Sequence, residues 1–344
     1  MSVSPPWWRP DIFARRRPIL ELRGRLTAAT RAFFAERDFL EVETPVLQIS
    51  PGLEPHLMAF ATELVAADQQ SSQPLYLHTS PEFAMKKLLA AGLPRIFQLA
   101  HVFRNGERAS THHPEFTMLE WYRNGAYAQI LADTAELLRA LAGVAGQGEV
   151  AWRGLACDVT AEPELLSVQE AFARYAGGID LLATVGDMPA LIAEAGRIGV
   201  RVGEGDRWDD LVLRILAERI EPHLGAGRPT FLVEYPVEMA ALARPKPGDP
   251  RVAERVELYI AGVEISNGFG ELTDAAEQRR RFTADMDLKE QLYGARYPID
   301  EEFLAALELG LPDSAGMALG FDRLVMLLAG AGHIEDVLWA PVAG

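Results

Sequence analysis

The sequence predicts an α+β domain in which antiparallel hairpins alternate with helices, and three local patterns predict it. From Arg95 to Phe103 and again from Glu115 to Arg123 the residues are apolar, aromatic and β-branched, while Arg104 to Pro114 between them carries turn and polar residues, the pattern of a buried hairpin. A second hairpin is expected to turn at Ala261-Gly262, and small residues at Gly316, Ala318 and Gly320 mark a strand that runs into an apolar helix ending at Leu328.

Taken in chain order, Leu22, Leu26, Ala29 and Phe33 follow helical spacing and lead into an extended Leu40–Glu43, which Thr44-Pro45 stops. Ser80 is expected to cap a helix with Pro81 at its first position and Gly92 at its close. On the second strand of the first hairpin, period two puts Phe116, Met118, Glu120 and Tyr122 on one face, so a carboxylate sits among apolar neighbours where an unpaired charge is costly. Such a face suits either a cationic or hydrogen-bonding ligand or an internal arginine paired with Glu120. Residues 143–250 read as a Gly- and Gln-rich entry, helical patterns near 167–176, 187–196 and 207–220, and a loop at Pro245–Pro250.

In the hairpin at Glu257–Glu264, a two-residue turn makes Tyr259 face Glu264 and Glu257 its same-face diagonal neighbour, about 7–8 Å away. Two carboxylates so placed can share magnesium with phosphate oxygens; the pattern equally suits a solvated strand in an acidic protein. Farther on, Arg323 falls in the first turn of a helix. There a cation opposes the macrodipole unless it meets an anion, or unless an internal bridge to Asp322 or another acid holds it.

Composition narrows the function. At 49% hydrophobic and 24% charged residues the chain has the make-up of a globular protein rather than a disordered one. A net charge of −16 is opposite to the basic character of a nucleic-acid binder, and Arg15, Arg16, Arg17, Arg23 and Arg25 read as the solvated face of the first helix. Cys157 is the single cysteine, so no intramolecular disulfide can form and a reducing cytoplasm is the expected setting. The first residues, with Pro5, Pro6, Arg9 and Pro10, lack a signal-peptide core, and no apolar run is long enough for a membrane span.

Three ordered segments carry a resemblance to a known family. The run HHPEFTMLEWY from His112 to Tyr122 resembles motif 2 of class II aminoacyl-tRNA synthetases of the lysine type; FLEVETP from Phe39 to Pro45 resembles motif 1, and GMALGFDRLVMLL from Gly316 to Leu328 resembles motif 3. More closely, the chain is similar to truncated lysyl-tRNA synthetase paralogues that attach (R)-β-lysine to a lysine of translation elongation factor P. The resemblance implies the class II synthetase fold, a mostly antiparallel sheet flanked by helices, in one catalytic domain over 1–344 with an insertion at about 143–250. Motif 1 begins at Phe39, which leaves no room before it for an anticodon-binding domain and argues against stable tRNA binding. It also implies a homodimer through the motif 1 helix and strand.

By the same resemblance ATP is bound by Arg104, Asn105, Glu107, His112, His113, Phe116, Glu264, Ile265, Gly320 and Arg323. Arg104 meets the α-phosphate and Arg323 the γ-phosphate as the catalytic pair, with Phe116 stacking on adenine. Magnesium falls to Glu257 and Glu264. Ser80, Pro81, Glu82, Glu120, Tyr122, Asn267, Phe269, Glu271 and Ala318 line the amino-acid pocket, whose separated acids suit a substrate with two ammonium groups. Two positions depart from the family pattern: Gly106 stands where an acid is common, with Glu107 next, and His113 replaces an asparagine. The expected reaction is adenylation of (R)-β-lysine and transfer to a protein lysine. The alternatives are a stand-alone lysine-activating enzyme acting on tRNA or a small acceptor, and a catalytically inactive regulatory binding protein.

Overall fold

In the computed structural model, which describes residues 6–240 and 242–342, the first hairpin forms as expected: Arg95–Phe103 pairs antiparallel with Glu115–Asn124, from Arg95 opposite Arg123 to Phe103 opposite Glu115. Pro5, Ala241 and the last two residues of the chain lie outside the described residues. The chain divides into two compact units, one of residues 1–126, 143–146 and 273–344, the other of 127–142 and 147–272. Motifs 1, 2 and 3 all fall in the first unit, and the acidic hairpin falls in the second.

In the first unit, Leu40–Glu41 runs parallel to Arg95–Phe103, and Ser314–Gly320 runs antiparallel to Glu115–Asn124 on the other side. Aromatic burial drives this assembly. Phe34 of the first helix stacks on Phe97 at 4.6 Å and leans on Trp121 at 5.4 Å, and both rings are buried on the sheet. The first helix begins earlier than its apolar spacing indicates, spanning Pro10–Ala35, because Pro10 suits a first helical turn and Asp11 complements its dipole. The arginine-face expectation is corrected at two positions: Arg16 and Arg23 are buried, and only Arg15, Arg17 and Arg25 are solvated. Glu82–Ala90 starts one residue later than expected, with Pro81 rather than Ser80 at the cap. Ser80 Oγ nevertheless accepts the Glu82 N–H at 3.0 Å.

In the second unit, Val263–Gly270 and Arg255–Ile260 form the second hairpin, continued by Thr230–Val233 and by Glu164–Ser167. The expected helical patterns appear as Val168–Tyr175, Met188–Arg197 and Trp208–Ile215 with a wider turn to Ile220, around a core that includes Phe172, Leu191, Leu211 and Ile215. The loop expected at 245–250 is instead a tight hairpin of Pro245–Lys246 and Asp249–Ala253, turning where Gly248 has φ +90°.

Candidate active site

The motif 2 strand delivers Glu120 to a buried polar cluster. Ser80 Oγ donates to Glu120 Oε2 at 2.8 Å, and the Tyr122 hydroxyl donates to Oε1. Period two explains the second contact, since Glu120 and Tyr122 share a face. Glu82, one helical turn before Lys86, accepts from that buried ammonium at 2.5 Å. Among the described residues no arginine bonds to Glu120, whose hydrogen bonds come from the Ser80 and Tyr122 hydroxyls. Burial first, and then the neighbouring Glu82, push the Glu120 carboxyl up to about 8, against the two hydroxyl donors and Lys86. Two carboxylates thus share one internal cation. Ala318 completes this face, directly opposite Glu120 across the strand pair.

A cationic cluster lies at the end of the same hairpin. Arg323 Nη2 meets His112 Nε2 at 2.6 Å, and Arg323 Nε donates to the Thr111 carbonyl at 3.3 Å. Burial, then Arg323, then Arg104 lower the His112 pKa to about 4, so the ring is neutral at physiological pH and accepts from the guanidinium. Asp322 is not the partner of Arg323: it is buried and bridged to Arg23, with its Oδ2 taking the Thr117 N–H at 2.9 Å. Asp322 therefore does not supply the internal bridge, and Arg323 at the helix start meets the neutral His112 ring and the Thr111 carbonyl.

The remaining loop positions divide clearly. The Arg104 guanidinium stands 5.3 Å from the centre of the Phe116 ring and 3.9 Å from Glu107. Gly106, with φ +85°, turns the chain so that Glu107 returns toward Arg104, which gives the departure from the family pattern a backbone reason. Asn105 donates its N–H to Met58 at 2.7 Å. The His113 ring is buried and bonded to backbone, to the Glu115 carbonyl at 2.6 Å and the Val342 N–H at 3.2 Å, so it supports the loop from beneath. Gly320 caps the motif 3 helix; a Cβ there would rest 3.5 Å from the stem of Arg323.

In the second unit Tyr259 does face Glu264, with Ala261 and Gly262 at φ +50° and +74° in the turn. A bulge between Leu258 and Tyr259 shifts the register, so Asn267 rather than Ser266 lies opposite Glu257. Glu257 Oε2 takes the Tyr235 hydroxyl at 2.5 Å and the Tyr259 hydroxyl at 2.9 Å, while Arg255 reaches Oε1 at 2.8 Å. Glu221, absent from the sequence reading, joins them: burial first, then Glu257 and Glu264, raise it to about 7. Glu221 comes from the short helical turn Glu221–His223, outside the hairpin that carries Glu257 and Glu264. Among the described residues no group of three or more His, Cys, Asp or Glu side chains is placed to hold a metal ion, so the hairpin offers at most two carboxylates to one. Asn267 Oδ1 is buried without a hydrogen-bond partner among the described residues. Phe269 packs on the small cluster of Ala240, Ala243 and Ala253; Glu271 and Ile265 are fully buried.

Comparison with known proteins agrees with this arrangement: the chain belongs to the class II tRNA synthetase family of the D, K and N type, which it matches over residues 13–343. Within that class it is 41% identical over 322 residues to a Vibrio cholerae protein named elongation factor P–(R)-β-lysine ligase, covering 94% of each chain. Proteins of the same name from Histophilus somni and Haemophilus influenzae are each 40% identical over 332 residues, covering 96% of both chains. A ligase of the adenylate-forming class is therefore the frame in which the two clusters are to be understood. No described helix is long and apolar enough to cross a membrane.

Proposed function

We propose that this chain activates (R)-β-lysine with ATP and transfers the β-lysyl group to the ε-amine of a lysine of elongation factor P. The observation that carries the reading is the pairing of two unlike sites on one strand. Ser314–Gly320 carries Ala318 opposite the cation-seeking Glu120, and two residues later Gly320 underlies Arg323 of the phosphate-seeking cluster. A substrate with an ammonium at one end and a carboxylate to be phosphorylated at the other matches that polarity. The substrate carboxylate attacks the α-phosphate, the P–O bond to pyrophosphate breaks, and Arg104 and Arg323 stabilise the charge that develops on the phosphates. Glu257 and Glu264 would hold magnesium, which supplies positive charge to phosphate oxygens when bound. The names of the relatives supply the acceptor, and the net charge of −16 favours a protein acceptor over tRNA.

A cytoplasmic homodimer fits the same reading, with the apolar Leu40, Leu47 and Ile49 exposed beside the motif 1 helix and strand. The test of activation is ATP–pyrophosphate exchange. Exchange stimulated by (R)-β-lysine supports the proposal; a folded protein that binds ATP yet exchanges no pyrophosphate with any lysine-type amino acid would instead mark a regulatory paralogue.

A further inference from the structure

The loop of residues 51–58 brings to the same region a carboxylate that adenylation does not use. The Thr79 N–H and hydroxyl both donate to the Pro51 carbonyl, at 2.9 and 2.8 Å, and fix the start of the loop. Buried Lys289 donates to the carbonyls of Pro55 at 2.9 Å and Leu57 at 2.5 Å, and Asn105, next to Arg104, holds its end at Met58. The loop is thus tied on one side to the segment that opens into Ser80 and Glu82, and on the other to the motif 2 loop.

Glu54 lies inside that frame. Its Oε2 is buried without a hydrogen-bond partner among the described residues, in a cleft that Gly52, Ser80, Pro81 and Glu82 also line. Gly52 admits it: at φ +128° a Cβ there would sit 2.5 Å from Thr79 Oγ1 and 2.9 Å from Glu54 Oε2. The charged groups that face it are Glu82, Arg104 and Lys289. Burial, and then Glu82, raise the carboxyl above its ordinary range, while its own backbone N–H, Arg104 and Lys289 oppose the rise. A buried acceptor atom left unsatisfied is costly and asks for a donor from outside the protein. The second half-reaction supplies one, because a lysine acceptor arrives as an ammonium and cannot attack until it has lost a proton.

Building on the function proposed above, we propose that Glu54 is the general base of acyl transfer. The acceptor ε-ammonium gives one proton to Glu54, and the neutral amine forms the C–N bond to the adenylate carbonyl carbon. The C–O bond to the phosphate then breaks, AMP departs with that electron pair, and the second proton on nitrogen leaves with the AMP phosphate. Charge and atoms balance without a further reactant.

The test separates activation from transfer. In single-turnover reactions of the full chain with pre-formed adenylate and elongation factor P, Glu54→Gln should slow transfer by about 100-fold and flatten the acid limb of its pH profile. Glu54→Asp should keep the limb at a reduced rate. Hydroxylamine, unprotonated at neutral pH, should trap the adenylate equally in all three proteins and so reports activation alone. Transfer by Glu54→Gln at the wild-type rate, an unchanged acid limb, or a parallel loss of hydroxylamine trapping would each overturn the assignment. Wild-type protein that forms trappable adenylate but leaves elongation factor P unmodified would overturn the acceptor reading, and this proposal with it.

Discussion

Ala318 lies directly opposite Glu120 in the antiparallel pairing of Ser314–Gly320 with Glu115–Asn124. Directly opposed residues bring their Cβ atoms to about 4.5–5.5 Å, so the Ala318 methyl occupies space beside the carboxylate expected to receive a substrate ammonium. An α-ammonium and a β-ammonium differ by one carbon in position. Ala318→Gly should therefore raise kcat/KM for α-lysine relative to (R)-β-lysine, by a contact worth about 1–3 kcal/mol. Measuring kcat/KM for both isomers in both proteins decides it; an unchanged ratio would free Ala318 of any part in selection.

Glu120 also sets a pH dependence. Its carboxyl titrates at about 8, so at neutral pH the free protein holds it mostly protonated, and binding an ammonium requires that proton to leave. The KM for the amino acid should fall by about tenfold per pH unit as pH rises toward that value, then level off. Glu120→Gln should raise KM and abolish the slope. A flat KM in the wild-type protein between pH 6 and 8 would show that the acid is already ionised before substrate arrives.

Burial first, and then the guanidinium groups of Arg323 and Arg104, hold His112 neutral, which gives the two arginines a spectroscopic reporter besides activity. Arg104→Ala and Arg323→Ala should each abolish pyrophosphate exchange in a folded protein, since the proposed function gives both guanidinium groups to the phosphates. Arg323→Ala should also move the His112 titration upward from about 4, read by NMR of the ring protons. Retained exchange in either variant would contradict the phosphate assignment.

Asp322 carries structure rather than chemistry. It joins the motif 3 helix to Arg23 of the first helix and to the Thr117 N–H of the motif 2 strand, and both side chains of the bridge are buried. Asp322→Ala strands the Arg23 charge and should cost about 3–5 kcal/mol in urea unfolding. A loss below about 1 kcal/mol would mean that water reaches the arginine.

Local periodicity made much of this legible. Period two placed Glu120 and Tyr122 on one face, and the Ala261-Gly262 turn set Tyr259 against Glu264. Lys86 was within reach of the same reasoning, four residues after Glu82 on a helix, but only its burial shows that it neutralises that acid. What sequence could not show is what depends on distant partners. Arg23 and Asp322 are separated by almost the whole chain, so Arg23 looked solvated and Asp322 looked like a partner for Arg323. Glu221 joins Glu257 through a fold in between, and the bulge between Leu258 and Tyr259 leaves no mark on the alternation around it.

The most direct measurement is the mass of elongation factor P after incubation with this protein, Mg-ATP and (R)-β-lysine, run beside the same mixture with bulk tRNA at moderate salt. The account predicts one added β-lysyl group on a single lysine of elongation factor P and no charged tRNA. Unmodified elongation factor P with efficiently charged tRNA would contradict it.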